Sequence, residues 1–411
     1  MKMRNIIVGQ SGGPTAVINS SLYGITMAAK EKGVNVYGML HGIEGFLEDN
    51  YINLTELAEK DEEEFALLKT TPASFLGSCR YKLPEDLNDS VYRIIFDKLA
   101  ELKIDAFFYI GGNDSMDTAD KLSRYAKEHK KNIVFMGVPK TIDNDLVVTD
   151  HCPGYGSTAK YIASTVRNIV WDSGVYARPV VTIVELMGRN AGWVTAASVL
   201  ARTPYEKNPM LIYLPEENFD ITEFIKDVKH ALTISSTLVI CVSEGIHDST
   251  GKLICEYGEK AETDRFGHKM LTGCGKVLER YIKRSIDCKS RTIELSLTQR
   301  AGTELISATD SDEAENAGRV AFNSAFNDGM EATGKMVAFM RSDDPYTISY
   351  ELVPVKKVCN KEKFFPKKWI VNGNDISDEF LKYVLPLIQG EPDIKYEDGV
   401  PKLMKPAYID K

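Results

Sequence analysis

No stretch of this 411-residue chain is apolar for long enough to cross a bilayer, so no membrane partner is expected. The opening residues, Met1 to Gly9, carry no apolar run of signal-peptide length. The seven cysteines (Cys79, Cys152, Cys241, Cys255, Cys274, Cys288 and Cys359) include no Cys-x-x-Cys pair. Scattered and odd in number, they read as reduced thiols of a cytoplasmic protein. The six histidines show no metal-ligand spacing. Basic charge is short as well. With 50 Lys and Arg against 59 Asp and Glu, the formal net charge is -9, which argues against a nucleic-acid partner, whose footprint would be basic. After the first strand-like segment there is no Gly-x-Gly-x-x-Gly, only Gly12-Gly13-Pro14, which does not fit a dinucleotide oxidoreductase.

What is present is ordinary globular composition, 43% hydrophobic and 27% charged, in a chain long enough for two lobes. Segments rich in Val, Ile and aromatic residues recur at 5–8, 34–40, 104–110, 133–138, 179–185, 210–214 and 238–242, each followed by a turn and a helical pattern. Such alternation predicts an α/β fold with mostly parallel sheets covered by helices. Ligands of such sheets lie beyond the carboxyl ends of the strands, so those ends are where chemistry is to be sought. After about Asp343 the pattern loosens into Lys-rich and Pro-containing segments, read as a C-terminal extension packing on the lobes.

The first strand runs into Gln10-Ser11-Gly12-Gly13, where backbone N–H groups and a helix N-terminus suit an anion, although the same glycines also serve a bare turn. The strand ending at Ile110 runs into Gly111-Gly112-Asn113-Asp114-Ser115. Asn113 and Asp114 there offer hard oxygen ligands for Mg²⁺, or merely cap the next helix. The strand ending at Val138 runs into Pro139-Lys140-Thr141-Ile142-Asp143-Asn144-Asp145. A carboxylate in this knot suits a general base toward a hydroxyl, and a second suits a metal. The competing reading is a solvated Asx-rich turn, which leaves the Pro-Lys-Thr lead-in unexplained. Met187-Gly188-Arg189 and Ser243-Glu244-Gly245 follow two later strands and suit a phosphorylated sugar. Arg291 and Arg300 are further phosphate candidates.

Taken in this order, Gly-Gly, Gly-Gly-Asn-Asp-Ser, Thr-Ile-Asp-Asn-Asp, Met-Gly-Arg and Glu-Gly resemble the phosphofructokinase family over roughly residues 4–310. The resemblance implies two similar Rossmann-like lobes with the active site in the cleft between them. Residues 1–155 plus about 300–345 would form the donor lobe, 156–299 the fructose 6-phosphate lobe, and 346–411 the extension. It implies Asp143 as the base for the 1-hydroxyl of fructose 6-phosphate, with Thr141 near substrate and Asn113 and Asp145 near Mg²⁺. Gly12, Gly13 and Arg80 would hold donor phosphate, and Met187, Gly188, Arg189 and Glu244 the sugar. Arg291 and Arg300 would reach the 6-phosphate, Arg291 from a neighbouring subunit, which implies a homodimer or homotetramer with shared active sites. Three departures stand out. Asn113 replaces the usual Asp, so the metal would lose one formal charge, while Leu297 replaces a histidine and Val180 an arginine, so the phosphate pocket is expected to be less basic than in the bacterial ATP enzymes.

Asp114 and Lys140 bear on the donor. ATP-using members of the family usually carry Gly at the position of Asp114, whereas pyrophosphate-using members resemble this chain at both positions. An Asp beside the α-phosphate space would repel ATP by on the order of 4 kcal/mol at intermediate dielectric, roughly a thousandfold. The expectation is therefore a pyrophosphate-dependent phosphotransferase. An ATP-dependent 6-phosphofructokinase and a non-catalytic phosphate-sensing module are the alternatives.

Overall fold

The computed structural model describes residues 3–175, 177–258 and 273–409. The first lobe is built on a seven-stranded sheet. Its strands in chain order are β1 (Asn5–Gln10), β2 (Asn35–Met39), β3 (Tyr51–Asn53), β4 (Ile104–Gly111) and β5 (Val134–Pro139), and later β10 (Lys335–Asp343) and β11 (Tyr346–Pro354). The order across the sheet is β11-β10-β5-β4-β1-β2-β3. The central pairings are parallel, and the outermost strand at each edge is antiparallel to its neighbour. The second lobe carries a four-stranded parallel sheet of β6 (Val180–Leu186), β7 (Leu211–Tyr213), β8 (Thr237–Ser243) and β9 (Lys289–Glu294), ordered β7-β8-β6-β9.

Every residue of β4 is buried, as expected of a strand covered on both faces. Alternate side chains enter opposite cores. Ile6, Val8, Phe108 and Ile110 meet the helices Ile18–Glu31 and Ala308–Asp328. Ile7, Phe107, Tyr109 and Phe135 meet Ser90–Glu101 and Asn113–Glu128 on the other face. The order β5-β4-β1 sets the three motif-bearing strand ends of this lobe side by side.

The segment after Asp343 does not begin as a separate unit. β11 extends the first sheet by nine paired residues, so the boundary expected at 346 falls inside the β10–β11 hairpin. Beyond Pro354 the chain crosses to the second lobe. There Phe365, Ile376, Phe380, Val384 and Leu387 join the core beneath β6 and β8. Trp193 meets Phe365 edge-on at 5.2 Å and Trp369 at 6.0 Å. The final residues return to the first lobe, where Met404 N donates to Thr71 Oγ1 (2.8 Å) and Ala407 N to Phe75 O (3.0 Å).

This packing has a measurable consequence. Phe380 is fully buried, and emptying its site is expected to lower stability by about 3–5 kcal/mol. Urea denaturation of Phe380→Ala measures it. A loss below about 1 kcal/mol would show that the extension only rests against the lobe.

Candidate active site

Where β1, β4 and β5 end, their loops are laced together. Ser11 N donates to Ile110 O (3.0 Å), Gly12 N to Cys79 O (3.1 Å) and Lys140 N to Gly111 O (3.0 Å). Gly12 has φ +78°, a left-handed turn that favours glycine. Ser78 Oγ donates to Gly12 O at 2.6 Å, tying the loop of Arg80 to the same turn. Lys140 is only 3% exposed, and its ammonium donates to Gly13 O at 2.6 Å. A cavity of about 690 Å³ opens over this floor, and Gly12, Gly13, Arg80, Asn113, Asp114, Lys140, Thr141, Asp143 and Asp145 line it. The Asp143 loop is fixed from within. Asp143 N donates to Thr141 Oγ1 (3.1 Å), and Asn144, at φ +52°, accepts from Cys152 N (3.1 Å).

The second lobe reaches the cavity with Arg189, after β6, and the loop after β8 packs against that loop. Met187 N donates to Gln299 Oε1 (3.2 Å), and Gly188 N to Glu244 Oε1 (3.4 Å). A Cβ on Gly245 would lie 1.8 Å from Arg189 O, so the Glu-Gly motif requires glycine for close passage of the two loops. Arg189 lines the cavity. A Cβ on Gly13 would sit 3.0 Å from Arg300 Nη1, which places that guanidinium directly against the first lobe's glycine turn. Of the expected residues, Met187, Gly188, Glu244 and Arg300 are not among those lining this cavity, and Arg291 stands well apart from it. Arg291 lies at mid-strand on β9 and bonds Thr182 Oγ1 (3.0 Å), Ser173 Oγ (3.1 Å) and Asp172 (3.1 Å), away from the cavity of its own chain. Asp114 borders the cavity, but its side chain is 70% exposed and pairs with Lys82 at 3.6 Å.

Four lining residues were not foreseen, namely Asn360, Lys361, Glu362 and Phe364 of the C-terminal segment. No motif marks them, and the first of them stands more than 200 positions after Asp143. Tyr81, next to Arg80, lines the cavity as well.

Known proteins resemble this chain over nearly its whole length. The phosphofructokinase family model matches residues 5–323. A protein of Halomonas elongata called pyrophosphate--fructose 6-phosphate 1-phosphotransferase is 37% identical, over 99% of this chain and 97% of its own length. One of the same name from Xanthomonas campestris pv. campestris is 37% identical over 97% of this chain and 95% of its own. The crystal structure of a pyrophosphate-dependent phosphofructokinase from Nitrosospira multiformis superposes with a TM-score of 0.86 at 32% identity, covering 98% of this chain and 96% of that one.

The chain belongs to the phosphofructokinase family.

Within this phosphofructokinase fold the charge balance of the cleft is uneven. Burial pushes the Asp143 carboxyl up to about 7, and the negative charge of Asp145 adds to the effect against the pull of Lys140 and Arg300. Asp145 is raised as well, chiefly by burial. Burial brings Lys140 down to about 8, with Asp143 and Asp145 opposing. Glu244 is pushed up to about 7, again mainly by burial. Two oxygens in the cavity wall, Asn113 Oδ1 and Asp145 Oδ1, are buried without a hydrogen-bond partner. Buried acceptors are seldom left unpaired, so a hard cation fits there. Among the described residues there is no cluster of three or more His, Cys, Asp or Glu side chains placed to hold a metal.

These shifts set a pH window. A base at Asp143 works only above about 7, where it is ionised, and Lys140 keeps its charge only below about 8. The profile of kcat/KM, which reports the free enzyme, is expected to be bell-shaped with its plateau between those limits. An acid limb falling near pH 4 would show that Asp143 titrates as an ordinary carboxylate.

Proposed function

We propose that this protein transfers a phosphoryl group from pyrophosphate to the 1-hydroxyl of fructose 6-phosphate, reversibly, giving fructose 1,6-bisphosphate and phosphate. The observation that carries this reading is the convergence of Asp143, Lys140 and the Gly12-Gly13 turn with Arg300 and Glu244 of the second lobe. Near-complete coverage by relatives named for this reaction supports it.

Asp143 takes the proton of the 1-hydroxyl as the phosphorus–oxygen bond forms. The backbone N–H of Gly13, together with Arg80 and Lys140, holds the pyrophosphate and balances the charge of the departing phosphate. Thr141 holds the Asp143 loop and lies beside the substrate. Met187, Gly188, Arg189 and Glu244 orient the sugar, and Arg300 meets its phosphate. Asn113 and Asp145 would hold Mg²⁺, which when bound supplies a positive charge beside the phosphates. Arg291 serves the 6-phosphate of a neighbouring subunit's site in a homodimer or homotetramer, which explains its distance from the cavity of its own chain.

Asp114 contributes less to donor choice than its position in the sequence suggests. A repulsion of about 4 kcal/mol needs a partly desolvated charge, whereas in water it falls to about 1 kcal/mol. With its side chain 70% exposed and paired with Lys82, Asp114 belongs near the lower figure. A coupled assay with fructose 6-phosphate and Mg²⁺ is expected to give turnover with pyrophosphate and almost none with ATP. Asp114→Gly is expected to raise ATP-dependent kcat/KM only about fivefold, the equivalent of about 1 kcal/mol, while lowering the pyrophosphate value. A parent enzyme that prefers ATP would overturn the donor assignment. A thousandfold gain in the variant would show Asp114 to be the whole gate.

A further inference from the structure

If Asp114 accounts for only a small part of the donor preference, another element must limit the donor. The segment from Asn360 to Phe365 is laid across the mouth of the cleft and bonded to both lobes. On the first lobe, Asn113 Nδ2 donates to Lys361 O (2.8 Å) and Asn360 Nδ2 to Asp117 Oδ1 (3.1 Å). These two bonds set the strap along the first turn of the helix Asn113–Glu128, on the flank where Asp114 also stands. On the second lobe, Asn190 Nδ2 donates to both carboxylate oxygens of Glu362 (2.9 and 3.1 Å), and Trp193 Nε1 donates to Lys363 O (3.0 Å). Phe365 N donates to Glu216 Oε1 at 2.7 Å. Between the lobes the strap is anchored under the Asp143 loop, where Lys363 N donates to Asp145 O (2.7 Å) and Lys363 Nζ to Asp150 O (2.7 Å).

We propose that this strap ends the donor site after two phosphates, so that the C-terminal segment, with Asp114, confines the enzyme to pyrophosphate. The inference rests on the pyrophosphate reading above and adds the element that sets donor length. A donor whose terminal phosphoryl group faces Asp143 and whose next phosphate rests on the Gly12-Gly13 turn shares its cavity with the first turn of the helix Asn113–Glu128, and we take its continuation to run toward that turn. There it meets the backbone of Lys361, held by Asn113, and the carboxylates of Asp114 and Glu362. The obstacle is backbone fixed from both sides, so it yields less readily than a surface side chain. Any third phosphate, whether or not it carries a nucleoside, is stopped at the same place.

Inorganic tripolyphosphate is the probe, because it lengthens the donor by one phosphate without adding sugar or base. Transfer of its terminal phosphoryl group to fructose 6-phosphate would leave pyrophosphate as product. The measurement is the ratio of kcat/KM for tripolyphosphate to that for pyrophosphate, which cancels any general loss of activity. In the parent the ratio is expected to lie below about 10⁻², the equivalent of about 2.7 kcal/mol. The triple variant Asn360→Gly/Lys361→Gly/Glu362→Gly leaves Lys363 and its anchors in place, removes the side-chain bonds to Asp117 and Asn190, and loosens the backbone that Asn113 still holds at Lys361 O. It is expected to raise the ratio at least about tenfold, the equivalent of about 1.4 kcal/mol. Asn360→Ala, which loses only the bond to Asp117, is expected to raise it by a smaller factor and serves alone if the triple variant does not fold. A ratio unchanged in the variant that folds, or a parent that uses tripolyphosphate as well as pyrophosphate, would overturn the proposal. A parent inactive with pyrophosphate would instead overturn the reading on which it rests.

Discussion

An ammonium group buried against a glycine turn governs the rest of this active site. Lys140 is almost wholly out of water and is directed onto Gly13 O. Burying a charge costs several kcal/mol unless opposite charges and hydrogen bonds compensate. Asp143 and Asp145 supply those charges from the same loop, and in return the ammonium restrains their protonation. The arrangement stands only if three strand ends stay in register, because the ammonium belongs to the loop after β5 and its acceptor to the loop after β1. Full burial of β4 between them holds that register.

The two lobes then divide the chemistry. The first presents glycine backbone, Lys140 and two orphaned oxygens, a surface suited to phosphate and a hard cation. The second presents Glu244 and Arg300, a surface suited to a sugar and its phosphate. The C-terminal segment holds these halves at a fixed separation while contributing wall residues of its own. Its aromatic cluster in the second lobe and its return to Thr71 and Phe75 in the first make it part of the scaffold.

Much of this was legible from sequence because strands buried on both faces read as unbroken apolar runs. The seven strand segments expected at 5–8, 34–40, 104–110, 133–138, 179–185, 210–214 and 238–242 all appear, and residues of the motifs at the ends of β1, β4, β5 and β6 line one cavity. β9, with the sequence Lys-Ser-Arg-Thr-Ile-Glu, escaped because it is a half-exposed edge strand with little apolar signal. β11 escaped for a related reason, since its side chains alternate between partly buried and exposed at the other sheet's edge. The strap was invisible because its partners lie far away along the chain, Lys361 meeting Asn113 across 248 positions. Motif spacing carries no record of such a contact. The smaller weight proposed for Asp114 has a different origin, since spacing locates a carboxylate but does not report how much water surrounds it.

The account stands or falls on Asp143 as the base, because its burial, its neighbours and its distance from ordinary carboxylate behaviour all follow from the same cluster. Asp143→Asn keeps the shape of the side chain and removes its capacity to accept a proton. Steady-state turnover with pyrophosphate, measured beside fructose 6-phosphate binding by calorimetry, tests it directly. Turnover should fall by about 10²–10⁴-fold, the usual contribution of general-base assistance, with sugar-phosphate affinity changed only a few-fold. Turnover within a few-fold of the parent would contradict the account.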